Sequence, residues 1–256
     1  MSHPERDPQP DLQPADEPPD VPGPETLAQV AALGPFFAVR THRATAVAGP
    51  PWRPMSELVE DPAALMDRVL AVRAYLAAAG GRSPDAVELR VAASVTHLGL
   101  TARLVSPALA LAVLHGSWPG LDLHALRWQP VLGGAFPLSL ADEAFASGAP
   151  GRLLGGPVGA LVEATRLLSV SPRVLWGNVA SAVNGAATAL AAASPAHAQR
   201  TRVLTALLLA QPQLRDAHTR VAGTTRFRRR SCCLIYRASP GASGALCGDC
   251  VLVRYR

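Results

Sequence analysis

The sequence predicts a mainly α-helical protein with a multi-helix globular body and a small β element. Its 256 residues are 49% hydrophobic but only 5% aromatic, so the core must consist mainly of alanine, leucine and valine. Alanine and leucine favour helices, whereas pleated sheets prefer β-branched and aromatic side chains. A second observation agrees: a serine or aspartate followed by proline repeatedly precedes an apolar run with helical periodicity.

These Ser-Pro and Asp-Pro pairs predict where helices begin. Proline suits the first helical position because its missing N–H would have no partner there, and the preceding side chain can cap free N–H groups. The pairs predict helices over residues 62–79, 84–102, 107–115, 172–193 and 195–210. A further helix is predicted over residues 157–169, where apolar side chains share one face. The stretches "FFAVRTH", "LDLHALRWQPV" and "FPLSLA" have strand-like character and predict a hairpin or two-stranded patch.

Charge and proline content divide the chain into three parts. Residues 1–24 are acidic, rich in proline and nearly free of large apolar side chains, so we expect a disordered tail. Residues 25–225 form the predicted helical body, and residues 226–256 form a segment rich in arginine and cysteine. The N-terminus has no apolar signal region, so a cytoplasmic, reducing location is expected.

One uncharged stretch requires a separate test as a membrane span. Residues 174–199 contain no Asp, Glu, Lys or Arg and are long enough to cross a bilayer. They also contain asparagine, glycine and an internal proline, and their apolar content is mostly alanine, which is weakly hydrophobic. A buried core helix is therefore the preferred interpretation.

All four cysteines lie in one C-terminal stretch, "RFRRRSCCLIYRASPGASGALCGDC", at Cys232, Cys233, Cys247 and Cys250. In a reducing compartment such a set is more typical of metal ligands or redox groups than of disulfides. Four thiolates suit a tetrahedral zinc ion or an iron–sulfur cluster. Adjacent cysteines on extended backbone point apart, which favours the two metal corners of a two-iron cluster over one small ion. A zinc site that only fixes the C-terminus stays open.

The stretch "RRRSCCLIYR…LCGDCVL" resembles the C-terminal signature of the ferric-siderophore reductase (FhuF-like) family. "SPRVLWGN" is similar to an upstream segment of that family, and "SPALALAVLHG" matches its mid-chain helix more loosely. The resemblance implies a [2Fe–2S] cluster on the four cysteines, and one-electron reduction of siderophore-bound Fe(III). The thirteen residues between the cysteine pairs exceed the family's usual gap of about ten, but a longer flexible loop adds little closure entropy, so we expect the cluster to form.

The resemblance also implies partners for the basic end of the chain. They are a ferric siderophore, and an electron donor such as a ferredoxin or a flavin reductase. Candidate docking residues are Arg226, Arg228, Arg229 and Arg230, with Trp176 and Asn178 of "LWGN" as candidates to line the cluster pocket. Positive charge would attract an anionic chelate or an acidic donor, although the arginines could also form a solvated surface or balance cluster charge. Peripheral contact with the inner face of the membrane is a further expectation.

Two other functions stay open. One is a non-catalytic, iron–sulfur or zinc-stapled regulator that binds nucleic acid. The other is a siderophore-binding protein without redox activity. The arginines agree with the first, but the sequence shows no helix-turn-helix and no basic recognition helix, so no nucleic-acid partner is expected.

Overall fold

The fold is built around a central pair of long helices. The computed structural model describes residues 22–145, 148–220, 226–238 and 246–253. The helices are α1 (Pro24–Ala32), α2 (Glu57–Glu60), α3 (Pro62–Ala79), α4 (Leu89–Leu114), α5 (Pro150–Gly155), α6 (Pro157–Arg166), α7 (Pro172–Ala193) and α8 (Ala198–Leu209). Helix α4 is buried along most of its length and packs against α7, while α1, α3, α6 and α8 pack around it. Most of the predicted N-terminal tail, residues 1–21, lies outside the described residues.

The predicted helical class is confirmed, and two helices have the bounds that the proline pairs predict. Helix α3 occupies residues 62–79, and Asp61 accepts a hydrogen bond from the backbone N–H of Ala63 at 2.9 Å. Helix α7 occupies residues 172–193, and the hydroxyl of Ser171 accepts from the backbone N–H of Arg173 at 3.3 Å. In both cases the side chain before proline caps the helix as expected.

The prediction of separate helices over residues 84–102 and 107–115 is wrong. Residues 84–86 form a 3₁₀ turn, and α4 continues through Pro107 without a break. Ser106 and Pro107 are both buried, so tertiary packing retains the helix although proline cannot donate a hydrogen bond. Two other boundaries shift slightly: residues 195–197 form a 3₁₀ turn before α8, and α6 ends at Arg166.

The β element is larger than the predicted hairpin. Its strands are β1 (Arg40–His42), β2 (Arg53–Pro54), β3 (Arg127–Trp128) and β4 (Leu138–Ala141), in the order β1-β4-β3-β2. Strands β3 and β4 are antiparallel neighbours, whereas β1 joins β4 in parallel. A second antiparallel pair, β5 (His218–Arg220) and β6 (Phe227–Arg229), leads into the cysteine segment.

Burial decides how the long apolar helices are interpreted. Within the described residues, α4 is the one helix that is long and apolar enough to cross a membrane. In the structure, 78% of its most apolar window is buried inside the protein, as in the core helix of a soluble globular protein. The uncharged stretch at residues 174–199 forms most of α7, which is buried against α4.

Candidate metal centre

The cysteine segment is fixed to the helical body on both sides of its first cysteine pair. Before the pair, β6 lies against α7. After the pair, Ala238 packs on Val91 of α4, and Leu234 covers this small apolar cluster. The guanidinium of Arg237 pairs with the Glu88 carboxylate at 2.6 Å. Residues 239–245, which include most of the Gly- and Ser-rich loop between the cysteine pairs, lie outside the described residues.

The four cysteines form two sulfur pairs. The Sγ atoms of Cys233 and Cys247 are 3.7 Å apart, and Cys250 lies near enough to Cys232 to add to the rise in its pKa. Two thiolates on one tetrahedral metal, with metal–sulfur bonds of about 2.3 Å, lie about 3.8 Å apart. The sulfurs of Cys233 and Cys247 therefore already have the spacing of two ligands on one metal. All four are free thiols rather than disulfides.

The two adjacent cysteines face different partners, as expected for neighbouring side chains that diverge. The chain turns immediately after them because Leu234 adopts a left-handed conformation with φ of 70°. This turn directs the Leu234 N–H to Cys232 Sγ at 3.3 Å, and the N–H of Leu252 donates to Cys250 Sγ at 3.4 Å. Within residues 22–253, gaps excluded, no three His, Cys, Asp or Glu side chains are placed to hold a single metal ion. Two separate sulfur pairs suit the two iron ions of a [2Fe–2S] cluster better than they suit a single metal ion.

The protonation states of the sulfurs favour metal binding at Cys233. A hydrogen bond from the Cys247 thiol is the main cause that lowers the pKa of Cys233 to about 6, and the positive charge of Arg229 adds to it. The same shared proton raises the pKa of Cys247. Burial raises the pKa of Cys232. The site thus holds one thiolate near neutral pH, and binding of metal would release the protons of the other thiols.

The four predicted docking arginines occupy different environments. Arg226 and Arg230 are exposed. Arg228 is half-buried and donates to the carbonyl of Val253 at 3.0 Å, which fixes the chain beyond the second cysteine pair. Arg229 is fully buried, so the structure places it in the interior rather than on a docking surface.

The two predicted residues of α7 also differ. Trp176 is partly buried and packs against the main apolar core. Asn178 is fully buried, and its Oδ1 accepts a hydrogen bond from Arg229 Nη2 at 2.6 Å. Its Nδ2 donates to the Ser94 carbonyl at 2.9 Å, and the Ser94 hydroxyl donates to the Cys233 carbonyl at 2.8 Å. Asn178 therefore links α7 to α4 directly beneath the first cysteine pair.

Sequence reasoning missed Ser94 and Asp249, which lie near the cysteines, and His97, which lies near Arg229. His97 is fully buried, and burial with the charge of Arg229 lowers its pKa to about 3, so the ring is neutral. The Asp249 carboxylate accepts a hydrogen bond from the Ser181 hydroxyl on α7. Asp249 could have been found, because it lies inside "CGDC". Nothing local marks Ser94 or His97, which are far from the cysteines along the chain.

A groove opens beside Gly248 and Asp249, the two residues between Cys247 and Cys250. It has a volume of about 650 Å³, and its polar lining includes Asn184, Thr188, Arg226 and Asp249. A second, mainly apolar cavity of about 280 Å³ contains Phe36 and Phe37. The two cavities share one edge of α7, formed by Ser181, Gly185 and Ala189. Together they form a surface with a polar end near the sulfurs and an apolar end away from Asp249.

The residues present fit a two-iron cluster. Beyond the sulfur spacing, Arg229 is a buried cation whose Nε and Nη1 have no hydrogen-bond partner in the described residues. A buried positive charge is costly unless a negative group lies near it. Four thiolates and two sulfides would supply such a negative group.

The fold and the site define a helical protein with a C-terminal four-cysteine metal centre. Residues 229–252 match the family model described as the FhuF 2Fe-2S C-terminal domain. The segment is therefore a [2Fe–2S]-binding segment, similar to the C-terminal domain of FhuF proteins. No curated protein and no solved structure gives a match.

Proposed function

We propose that the protein is a ferric-siderophore reductase, an oxidoreductase that converts chelated Fe(III) to Fe(II) in the cytoplasm. The supporting observation is that the two residues between Cys247 and Cys250 line a groove of about 650 Å³. Gly248 and Asp249, which separate Cys247 from Cys250, form part of the groove wall. A chelate in the groove would lie close to two of the sulfur ligands.

The chemistry of the two metal sites supports this activity. Siderophore oxygens are hard ligands, which hold Fe(III) more tightly than the softer Fe(II). One added electron therefore weakens the complex and lets the iron leave. A [2Fe–2S] cluster supplies electrons one at a time. The chelated iron would gain one electron from a reduced cluster held by the four cysteines, and no covalent bond of the protein would form or break.

The groove residues would bind and orient the chelate. Arg226 supplies positive charge for a chelate with net negative charge. The side-chain amide of Asn184 can hydrogen-bond the oxygen-rich face of the ligand. The apolar end at Phe36 and Phe37 would accept the hydrocarbon arms that connect the iron-binding groups. Such a lining suits a chelate that is polar around the metal and apolar at its periphery.

The electron donor would use the exposed arginines near the cluster segment. Arg226 and Arg230 are both exposed, and their charge favours an acidic donor such as a ferredoxin or a flavin reductase. The same charge would favour peripheral contact with an anionic membrane surface.

Anaerobically purified protein tests the proposal directly. We expect brown protein with charge-transfer bands and about two irons and two sulfides per chain. After reduction with dithionite and removal of excess reductant, addition of a ferric hydroxamate should reoxidise the cluster and release Fe(II), measured with an Fe(II)-specific chelator. A reduced cluster that persists with bound chelate would instead indicate a siderophore-binding protein. Colourless protein that holds one zinc ion would overturn the reductase.

Reversing the charge of Arg226 should weaken binding of an anionic chelate. In Arg226→Glu we expect KM for the chelate to rise roughly three- to tenfold at low salt, with kcat little changed, because the groove loses its attractive charge. The rise should shrink as salt screens the interaction. Arg43→Glu is the matched control, because Arg43 is exposed and lies outside the groove lining. Equal KM values in the two variants would remove Arg226 from the binding site.

A further inference from the structure

Arg229 is a buried cation that pairs with no carboxylate among the residues that the structure describes. Its side chain is inaccessible to solvent although it lies on a short strand next to the cysteine segment. One guanidinium nitrogen, Nη2, donates to Asn178 Oδ1 at 2.6 Å and approaches the Val174 carbonyl at 3.4 Å. The other two nitrogens are buried without a hydrogen-bond partner, and within the described part of the chain no Asp or Glu pairs with this group.

Other buried arginines have different neighbours. Arg68 also has two nitrogens without a hydrogen-bond partner, but its guanidinium lies over the rings of Trp128 and Phe136. Arg103 is also buried, but all three of its guanidinium nitrogens donate to backbone carbonyls. Arg229 has no comparable set of acceptors. Burial is the main cause that lowers the pKa of His97, and a hydrogen bond from Cys247 is the main cause that lowers the pKa of Cys233; the charge of Arg229 adds to both. A thiolate at Cys233 would therefore partly compensate the charge of Arg229.

A fixed network holds the guanidinium in this position. Asn178 can present its oxygen to Arg229 because its amide nitrogen is held by Ser94, through the carbonyl at 2.9 Å and the hydroxyl at 3.2 Å. Ser94 in turn donates to the Cys233 carbonyl at 2.8 Å. Ser94, Asn178 and Arg229 are all fully buried, so water does not compete for these hydrogen bonds.

We propose that Arg229 is the buried counter-charge that raises the reduction potential of the [2Fe–2S] cluster, and that Asn178 is the residue that positions it. The cluster is negative when oxidised and more negative after it accepts one electron. A nearby fixed cation thus stabilises the reduced form more than the oxidised form, and weak screening in the interior preserves the effect. Asp249 acts on Cys233 in the opposite direction. This inference rests on the cluster and not on the siderophore activity.

Potentiometric titration of reconstituted protein, followed by visible absorbance and electron paramagnetic resonance, tests the inference. In Arg229→Met, at a fixed solution potential, we expect the ratio of reduced to oxidised cluster to fall about tenfold or more, equivalent to a shift of about 59 mV for one electron. Arg229→Lys retains the charge and should recover part of the shift. Arg173→Met is the matched control, since Arg173 is exposed in the first turn of α7 and its charge is screened.

A second variant covers the case in which Arg229→Met does not hold the cluster. Asn178→Asp has nearly the same shape and places a carboxylate on Arg229, so it should also lower the ratio of reduced to oxidised cluster. A full iron and sulfide content with an unchanged midpoint in Asn178→Asp, or in Arg229→Met, would overturn the inference and leave the proposed function intact. Wild-type protein without any cluster would overturn the proposed function itself.

Discussion

Replacing Cys233 by serine should abolish the [2Fe–2S] cluster. Cys233 is the buried member of the pair with the 3.7 Å sulfur spacing, and its thiolate is already stabilised by Cys247 and Arg229. A serine hydroxyl is a poor ligand because it stays protonated near neutral pH and is harder than a thiolate. We expect the purified variant to be colourless, with less than about a tenth of the wild-type iron and sulfide, and without ferric-chelate reduction.

The neighbouring serine provides the control for this change. Ser231 lies two positions earlier, is nearly as buried, and donates to the Arg173 carbonyl at 2.9 Å. Ser231→Ala perturbs the same segment without removing a sulfur, so it should keep most of the colour. Circular dichroism should show the same helix content in both variants, because neither residue lies in a helix. A brown Cys233→Ser protein with wild-type activity would show that the ligand assignment is wrong.

Replacing Arg103 by methionine should cause a large loss of stability in the helical body. Arg103 lies on α4, and its guanidinium donates to the carbonyls of Phe136 at 2.9 Å, of Ala38 at 2.8 Å and of Phe36. Methionine fills part of the volume but leaves these acceptors without their donor. Since an unsatisfied buried polar group costs about 1–3 kcal/mol, we expect the free energy of unfolding to fall by about 3–4 kcal/mol.

Urea denaturation followed by circular dichroism measures this loss, with Arg166→Met as the control. Arg166 is exposed on α6 and pairs only with Glu163 in the described residues, so its removal should change stability by less than about 1 kcal/mol. Equal midpoints for the two variants would contradict the role given to Arg103. Because Arg103 holds the chain at Phe36, its loss should also disturb the apolar end of the groove.

Local rules predicted those parts of the fold that depend on neighbouring residues. Asp61 and Ser171 cap their helices because the cap and the capped N–H are two positions apart. Pro107 shows where such rules fail: the same Ser-Pro pattern lies within α4, since burial of the whole segment outweighs one missing hydrogen bond. The parallel pairing of β1 with β4 joins strands almost one hundred residues apart, which no local pattern reveals.

The candidate site also has residues that the sequence alone identifies and residues whose roles depend on the fold. The four cysteines could be identified from the sequence, because thiols that cluster at short spacing indicate a shared metal centre without any knowledge of the fold. The arginines could be counted but not placed, since the sequence does not distinguish the exposed Arg230 from the buried Arg229. Ser94 and Asn178 act only through helix packing that brings them under Cys233, so their roles required the structure.

Each sulfur pair contains one buried and one half-buried cysteine. Both irons would therefore be reachable from the outside through Cys232 and Cys247, while Cys233 and Cys250 anchor them inside. We therefore expect iron and sulfide to reach these thiols in the folded chain without opening of the helical core. The same access lets dioxygen reach the loaded centre, so maturation and damage in air involve the same side of the molecule.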